Sequence, residues 1–174
     1  MQTAVNTKNK NVNLLYSRMT PGEYAVYEPI FSFLLSLGYR PLRQRAKNGR
    51  SISYCFKHPA HGRQIAKAAV REEKQQIEFS LRFSACESYP PKLAAILRDR
   101  FLAHSEKYQA PMCGTCGYCK GDTHVYSYVF QDGHTRTLCG TYTINLPGLT
   151  AQDLPDIREL IAKQNAYFMS YCLS

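Results

Sequence analysis

The hydrophobic residues of the chain repeat with helical spacing in three segments. Apolar side chains recur every three or four positions in residues 20–37, in about residues 91–108 and in residues 153–172, which predicts three amphipathic helices. The first begins with the letters TPGE at residues 20–23, which supply an N-cap, a first-turn proline and a capping-box glutamate. We expect it to end at Gly38, because glycine readily adopts the left-handed conformation that closes many helices.

Alternation of apolar and polar residues predicts three strands between the first two helices. The alternation is clearest in residues 75–83 and is also present in residues 51–57. Residues 64–71 fit either a helix or a strand, and their position between two strands favours a strand. Further along the chain, residues 123–146 predict two strands around Asp132-Gly133, a dipeptide that is typical of two-residue hairpin turns.

The order of these elements predicts an α+β fold with a mainly antiparallel sheet and helices packed on it. A chain of 174 residues is long enough to form one hydrophobic core. We expect a single domain over residues 14–174, which ends with a cysteine-rich loop, the hairpin and the terminal helix. Residues 1–13 are polar and rich in asparagine and lysine, so a flexible N-terminus is expected there.

Composition indicates the environment of the protein. Hydrophobic residues make up 44% of the chain and charged residues 20%, which is typical of soluble globular proteins. No segment approaches the roughly 18–20 consecutive apolar residues of a membrane span, and the N-terminus lacks the apolar core of a signal peptide. We therefore expect a cytoplasmic protein with no membrane partner. In that reducing compartment, the seven cysteines are better explained as metal ligands or thiols than as disulfides.

The net charge of +9 comes from the N-terminal part of the chain. Residues 1–75 contain 13 lysines and arginines but only 4 acidic residues. The densest basic segment, residues 39–50, has no acidic residue and contains Arg40, Arg43, Arg45, Lys47 and Arg50. Such a segment can bind a polyanion such as nucleic acid, and it can equally be a basic loop that is simply solvated.

Three cysteines in the segment MCGTCGYCKG have the spacing of a metal site. Cys113, Cys116 and Cys119 are separated by two residues each, and glycine follows the first two. Glycine tolerates the backbone conformations that turn N–H groups toward metal-bound sulfurs. A fourth thiolate would complete a tetrahedral Zn²⁺ site, which is closed and therefore structural.

The predicted hairpin supplies the fourth ligand. A two-residue turn at Asp132-Gly133 places Cys139 opposite Tyr126, at the open end where the chain arrives from the three cysteines. Residues 112–140 are therefore expected to form a metal-binding loop and hairpin. Alternation places His124 on the same hairpin face as Cys139, where it is an alternative ligand, a group that orients a ligand, or a surface histidine.

Two other chemistries use the same cysteines. Four thiolates also hold iron–sulfur clusters. Each C-x-x-C pair resembles a redox dithiol, but that chemistry needs a helix after the first cysteine, and a glycine-aspartate step and hairpin follow here instead. We found no glycine-rich phosphate loop, no nucleophile elbow and no paired carboxylates beside a cleft. These observations favour a non-catalytic module for binding or regulation.

The C-terminal part resembles a family of small bacterial proteins of unknown function, mostly from anaerobic gut bacteria. The resemblance rests on C-x-x-C-x-x-C, on a tyrosine-rich hairpin with a Cys-Gly step, and on the segment LTAQDLPDIRELIAKQNAYF. It covers about the last 65 residues, with weaker agreement in the strands and helix before them. The resemblance implies a fold and a cysteine site, but it implies no activity and does not specify the metal.

Overall fold

The computed structural model describes residues 10–45, 51–71, 76–103 and 125–170, and it describes only the backbone of Arg45, Ser51 and Arg71. The predicted α+β fold class is confirmed. The helices are α1 (Lys10–Tyr16), α2 (Pro21–Ser36), α3 (Pro91–Ala103) and α4 (Leu154–Ser170), and a 3-10 turn (Ala151–Asp153) precedes α4. The strands are β1 (Arg40–Arg45), β2 (Ser51–Lys57), β3 (Gln64–Arg71), β4 (Gln76–Leu81), β5 (Tyr126–Val129), β6 (Thr135–Leu138) and β7 (Ile144–Asn145).

Five strands form one antiparallel sheet in the order β1-β2-β3-β4-β7, and β5 pairs with β6 in a separate hairpin. One face of the sheet carries aromatic side chains that pack against α2. Phe31 of α2 lies with its ring centroid 5.0 Å from that of Phe56 and 6.0 Å from that of Phe79. The opposite face carries Arg40, Lys57 and Lys67 together with the buried Ser53 and Cys55 and the exposed Leu42.

The predicted start and end of α2 are confirmed. Thr20 is the N-cap: its hydroxyl accepts a hydrogen bond from the backbone N–H of Glu23, and the Glu23 carboxylate accepts one from the Thr20 N–H at 2.9 Å. The second oxygen of Glu23 accepts the backbone N–H of Ile77 in β4 at 2.9 Å. At the other end, Gly38 has a φ of 92°, which is the left-handed conformation expected there.

Helix α1 corrects the expected N-terminal boundary. It begins at Lys10, within the 13 residues that we expected to be flexible, and residues 1–9 lie outside the described part. Val12 and Leu15 are buried in the core, which stabilises a helix of only seven residues that would be unstable alone. The side-chain amide of Asn11 also donates a 2.7 Å hydrogen bond to the carbonyl of Pro41 in β1.

Strand β1 was not predicted. Residues 40–45 were expected to be part of a basic loop, but they form the edge strand of the sheet. Pro41 has no backbone N–H and weakens a strand pattern, yet it is tolerated at an edge. The two-residue strand β7, which pairs Ile144 with Leu81, was also missed because the pattern assigned its residues to the hairpin.

The hairpin turn differs from the expected one by one residue. The Phe130 N–H donates to the His134 carbonyl, and the Gly133 N–H donates back to the Phe130 carbonyl. The loop therefore contains three residues rather than two, with Gly133 at a φ of 81°. As a result, Tyr126 pairs with Leu138 and not with Cys139.

The start of α4 also differs from the prediction. Asp153 was expected to be the N-cap, but its carboxylate accepts the backbone N–H of Thr150 at 2.7 Å and so closes the 3-10 turn. The same carboxylate forms a 2.6 Å ion pair with Lys92 near the start of α3. Within the described residues, no helix has the length and apolar content needed to cross a membrane.

Candidate functional site

The structure describes part of the predicted site. Cys139, Arg40 and Arg43 are described with their side chains, and Arg45 is described by its backbone alone. The remaining predicted residues lie outside the described part: Cys113, Cys116, Cys119, His124, Lys47 and Arg50.

Cys139 follows the last residue of β6 and begins a tight turn. The backbone N–H of Tyr142 donates to the Cys139 carbonyl at 3.2 Å, which closes the turn. The thiol is partly buried, and its sulfur lies 3.1 Å from the hydroxyl oxygen of Thr141. A threonine hydroxyl in this position can donate a hydrogen bond to a thiolate and so stabilise the form that binds metals.

Two side chains from other elements hold this turn in place. The Ser84 hydroxyl donates a 3.0 Å hydrogen bond to the carbonyl of Gly140. The hydroxyl of the fully buried Tyr126 donates to the Tyr142 carbonyl at 2.8 Å and accepts the backbone N–H of Phe83 at 3.1 Å. Burial raises the pKa of Tyr126 above its ordinary value, so the hydroxyl keeps the proton that it donates.

The hairpin has Cys139 near its open end, as expected, but its register differs from the predicted one. Because Tyr126 pairs with Leu138, Cys139 lies at the open end of the hairpin, beside the point where the chain enters β5. The side chain of Cys139 does not share the face of Tyr126, however, because the register differs by one residue. No group of three potential metal ligands occurs among the described residues. The four-cysteine site stays a prediction.

The basic residues of β1 lie on two faces of the sheet. Arg43 pairs with Tyr54 on the face that α2 covers, whereas Arg40 pairs with Lys57 on the opposite face. The predicted basic segment is therefore not one continuous surface in its described part.

On the face opposite α2, Arg40, Lys57 and Lys67 form a group that we call the basic face. Both lysines lie close enough to Cys55 to lower its pKa, although the larger effect of burial raises that pKa overall. Within the described ranges, none of the three cations forms an ion pair. Among the described residues of the sheet, the acidic residue on the same face is Glu78 of β4, which lies opposite Ala69 of β3.

A histidine cluster occurs where the β2–β3 turn meets α4. The rings of His58 and His61 are stacked with centroids 4.7 Å apart, and Tyr39 and Phe168 contact them edge-on or at a tilt. The Nδ1 atom of His61 accepts the backbone N–H of Arg63. Burial, His58 and Arg63 together lower the pKa of His61 to about 4, so its ring is neutral near pH 7.

Sequence patterns did not reveal this cluster, because its members come from three separate parts of the chain: the residue before β1, the β2–β3 turn and α4. The spacing of the two histidines, three positions apart in the turn before Gly62, was the one local signal. Comparison of the chain with protein-family models, with curated proteins and with solved structures found no match.

Proposed function

We propose that the protein is a non-catalytic binding or regulatory module whose C-terminal third is held together by a structural zinc ion. The proposed ligands are the thiolates of Cys113, Cys116, Cys119 and Cys139. The observation that carries this proposal is the position of Cys139, in a turn held by two other elements and beside the start of β5.

The length of the chain supports the assignment. Cys119 precedes Val125, the first described residue before β5, by six positions. Six residues span at most about 20 Å, so the third cysteine can return to the open end of the hairpin. The short C-x-x-C steps then keep the other two thiols within reach of the same ion.

The environment of Cys139 also suits a metal-bound thiolate. Its sulfur lies 3.1 Å from the Thr141 hydroxyl, which can donate a hydrogen bond to a thiolate, and its backbone position is fixed by the turn. Four thiolates fill the coordination sphere of Zn²⁺ and leave no open position for a substrate. In such a site, the free energy of metal binding contributes directly to folding. The same four sulfurs would suit an iron–sulfur cluster, which is the principal alternative.

The test is to purify the full chain without a metal-affinity tag and to measure bound metal and the visible spectrum. We expect about one zinc per chain and no visible absorption. A Cys139→Ser variant should lose most of the zinc and unfold at a lower temperature. A Cys55→Ser variant should keep the zinc, because Cys55 is buried in β2 of the five-stranded sheet, whereas Cys139 follows β6 in the separate hairpin.

Each other outcome has a definite meaning. Bound iron with visible absorption would show that the cysteines hold an iron–sulfur cluster instead of zinc, and would indicate a redox protein. Equal zinc content in the Cys139→Ser protein would remove Cys139 from the ligand set. Absence of any metal, with a reversible disulfide among the three clustered cysteines, would instead favour dithiol chemistry.

Nucleic-acid binding is a second candidate, and the basic face favours it. Arg40 and Lys57 are directly opposite each other on neighbouring strands, an arrangement of like charges that destabilises a sheet. A phosphate backbone on this face would compensate these charges and that of Lys67. The expected result is binding of single-stranded RNA or DNA that weakens steeply with salt, with a smaller salt slope in a Lys67→Gln variant. No retention on either polymer at low salt would remove this candidate.

A further inference from the structure

A second basic site lies on the other face of the sheet, where α1 crosses the strands. Here the protein has a cavity of about 160 Å³ that is partly open to solvent, because Leu14, Arg18 and Arg43 at its border are exposed. Two arginines border it: Arg18, just after α1, and Arg43 of β1. The other described lining residues are mostly apolar: Leu14, Ile52, Tyr54 and Val70.

Among the described residues, the two arginines have no acidic partner. Neither side chain forms a hydrogen bond or an ion pair there, and no carboxylate of the described ranges lines the cavity. Two like charges that converge on one cavity repel each other, and an anion between them would remove this repulsion. A guanidinium also matches the geometry of carboxylate and phosphate oxygens, which it binds through two parallel hydrogen bonds.

The apolar lining suggests the other half of the ligand. Tyr54 is only 3% exposed, so its ring forms part of the buried wall of the cavity. Ile52 and Val70 pair across β2 and β3, and their side chains lie side by side on the same face as Tyr54. A cavity of roughly 150 Å³ with apolar walls holds one benzene ring. The cavity is therefore large enough for a single ring and too small for a nucleotide.

The position of α1 fixes the shape of the cavity. Asn11 donates a hydrogen bond to the Pro41 carbonyl, and Val12 and Leu15 are buried against the core. These contacts hold Leu14 and Arg18 over the strands. The cavity is thus assembled from the N-terminal helix and three strands.

We propose that this cavity binds a small aromatic anion, with its ring against Tyr54, Ile52 and Val70 and its carboxylate or phosphate group between Arg18 and Arg43. The proposal is independent of the zinc site and of the basic face. A carboxylate and a phosphate monoester present the same charge-assisted hydrogen bonds to the two guanidinium groups.

The experiment titrates the full chain with benzoate and with phenyl phosphate and follows the amide resonances by NMR. Saturable binding of either probe is the expected result, and the tighter probe identifies the anionic group. Acetate and inorganic phosphate, which lack the ring, should bind at least about tenfold more weakly, since the buried ring contributes hydrophobic free energy.

Variants separate this site from general attraction to a basic protein. Arg43→Gln and Arg18→Gln should each weaken binding about tenfold or more, as expected for loss of a charge-assisted hydrogen bond. Arg40→Gln is the matched control, because Arg40 lies on the same strand but on the opposite face. It should change the dissociation constant by no more than about twofold, as expected for a remote and screened surface charge.

A third variant tests the cavity without changing the charge. Val70→Phe should fill the space for the ring and abolish binding of benzoate, and a thermal melt checks that the variant remains folded. The proposal is overturned if neither aromatic probe binds at a concentration of about 10 mM, which is far above the dissociation constants of typical specific sites. It is equally overturned if Arg40→Gln weakens binding as much as Arg43→Gln does, or if acetate binds as tightly as benzoate.

Discussion

At position 38, the backbone and a neighbouring side chain both require glycine. The φ of Gly38 is 92°, a region that residues with a Cβ atom rarely adopt. A Cβ atom built on Gly38 would lie 2.7 Å from Nε2 of His58, which is closer than such contacts occur. The ring of His58 cannot move easily, because it is stacked on His61 and contacts Tyr39.

We therefore predict that Gly38→Ala lowers the free energy of unfolding by about 2–4 kcal/mol, from backbone strain plus displacement of the histidine ring. Gly62→Ala is the matched control, because Gly62 also has a positive φ but has nothing within 4 Å of its Cβ position. It should cost only about 1–2 kcal/mol. Urea unfolding of both variants measures the difference, and equal losses would show that the His58 contact has no effect.

The lowered pKa of His61 predicts a dependence of stability on pH. Its pKa is about 4 in the folded protein and about 6.5 in an unfolded chain. Between these values the unfolded state binds the proton more tightly than the folded state does. The contribution of neutral His61 to stability is therefore complete above pH 6.5 and is lost as the pH falls toward 4. Wild-type stability should therefore decrease over this range.

A His61→Gln variant tests this, since glutamine does not titrate. Its unfolding free energy should depend less on pH between 6.5 and 4 than that of the wild type, in urea titrations at several pH values. His134→Gln serves as the control, because the His134 side chain is 82% exposed. If His61→Gln retained the full wild-type slope, the titration would belong to other groups.

At the scale of elements, local signals decided which parts of the fold the sequence predicted. Helix α2 was predicted with both ends because its cap, its capping-box glutamate and its terminal glycine all lie within the segment. Strands β2 and β4 were predicted from alternation, and β3 was predicted from its position between them. Strand β1 and helix α1 were missed, because each is stabilised by its neighbours. Strand β1 contains Pro41, which weakens a strand pattern and is tolerated at an edge. Helix α1 has only seven residues and depends on the burial of Val12 and Leu15 in the core.

The hairpin register shows a different limit. An aspartate-glycine pair is compatible with a two-residue turn and also with a three-residue loop that has glycine in the last position. The letters around residues 130–134 do not distinguish these alternatives. The difference of one residue determines which side chains share a face, and it separated Cys139 from Tyr126.

Glu23 connects two elements, and its removal should affect both. Burial raises the pKa of its carboxyl. Hydrogen bonds from the Ile77 and Thr20 N–H groups and from the Thr20 hydroxyl together lower that pKa by more, so the net pKa is below its ordinary value. We predict that Glu23→Ala lowers the free energy of unfolding by about 1–3 kcal/mol at pH 7. Glu28→Ala, on the same helix, loses only an exposed hydrogen bond from Ser32 and should cost about 0.5 kcal/mol or less.

The sign of the pH dependence follows from the lowered pKa. The contribution of Glu23 is complete above the unfolded-state pKa of about 4.3 and is lost as the pH falls through the lower folded-state value. The difference in stability between wild type and Glu23→Ala should therefore shrink below pH 4. A constant difference across this range would contradict the role of the ionised carboxylate.

At the scale of the whole molecule, the candidate sites combine residues that are distant in sequence. The spacing of the cysteines indicated metal chemistry, but no local pattern reveals that Ser84 holds Gly140, 56 positions later. The cavity beside Arg43 is similarly assembled from four elements. The sequence shows that Arg43 belongs to a basic segment, but it does not show that Arg43 and Arg40 lie on opposite faces of the sheet.

Tyr126 joins the hairpin to the rest of the protein. Its ring packs edge-on against Phe83 with centroids 5.1 Å apart, and its hydroxyl hydrogen-bonds to the backbone of Phe83 and of Tyr142. The hydroxyl thus connects the end of β4 with the turn that contains Cys139. Replacement by phenylalanine would keep the packing but leave a buried N–H and a carbonyl without their partner.

We predict that Tyr126→Phe lowers the free energy of unfolding by about 1–3 kcal/mol, the usual cost of unsatisfied buried polar groups. Tyr128→Phe, in the same strand but only partly buried, should change stability by less than about 0.5 kcal/mol. If Cys139 is a zinc ligand, Tyr126→Phe should also release zinc to a chelator faster than Tyr128→Phe does, because the turn that positions the thiolate is less constrained. Loss of stability with unchanged zinc release would mean that Tyr126 supports the fold but not the metal site.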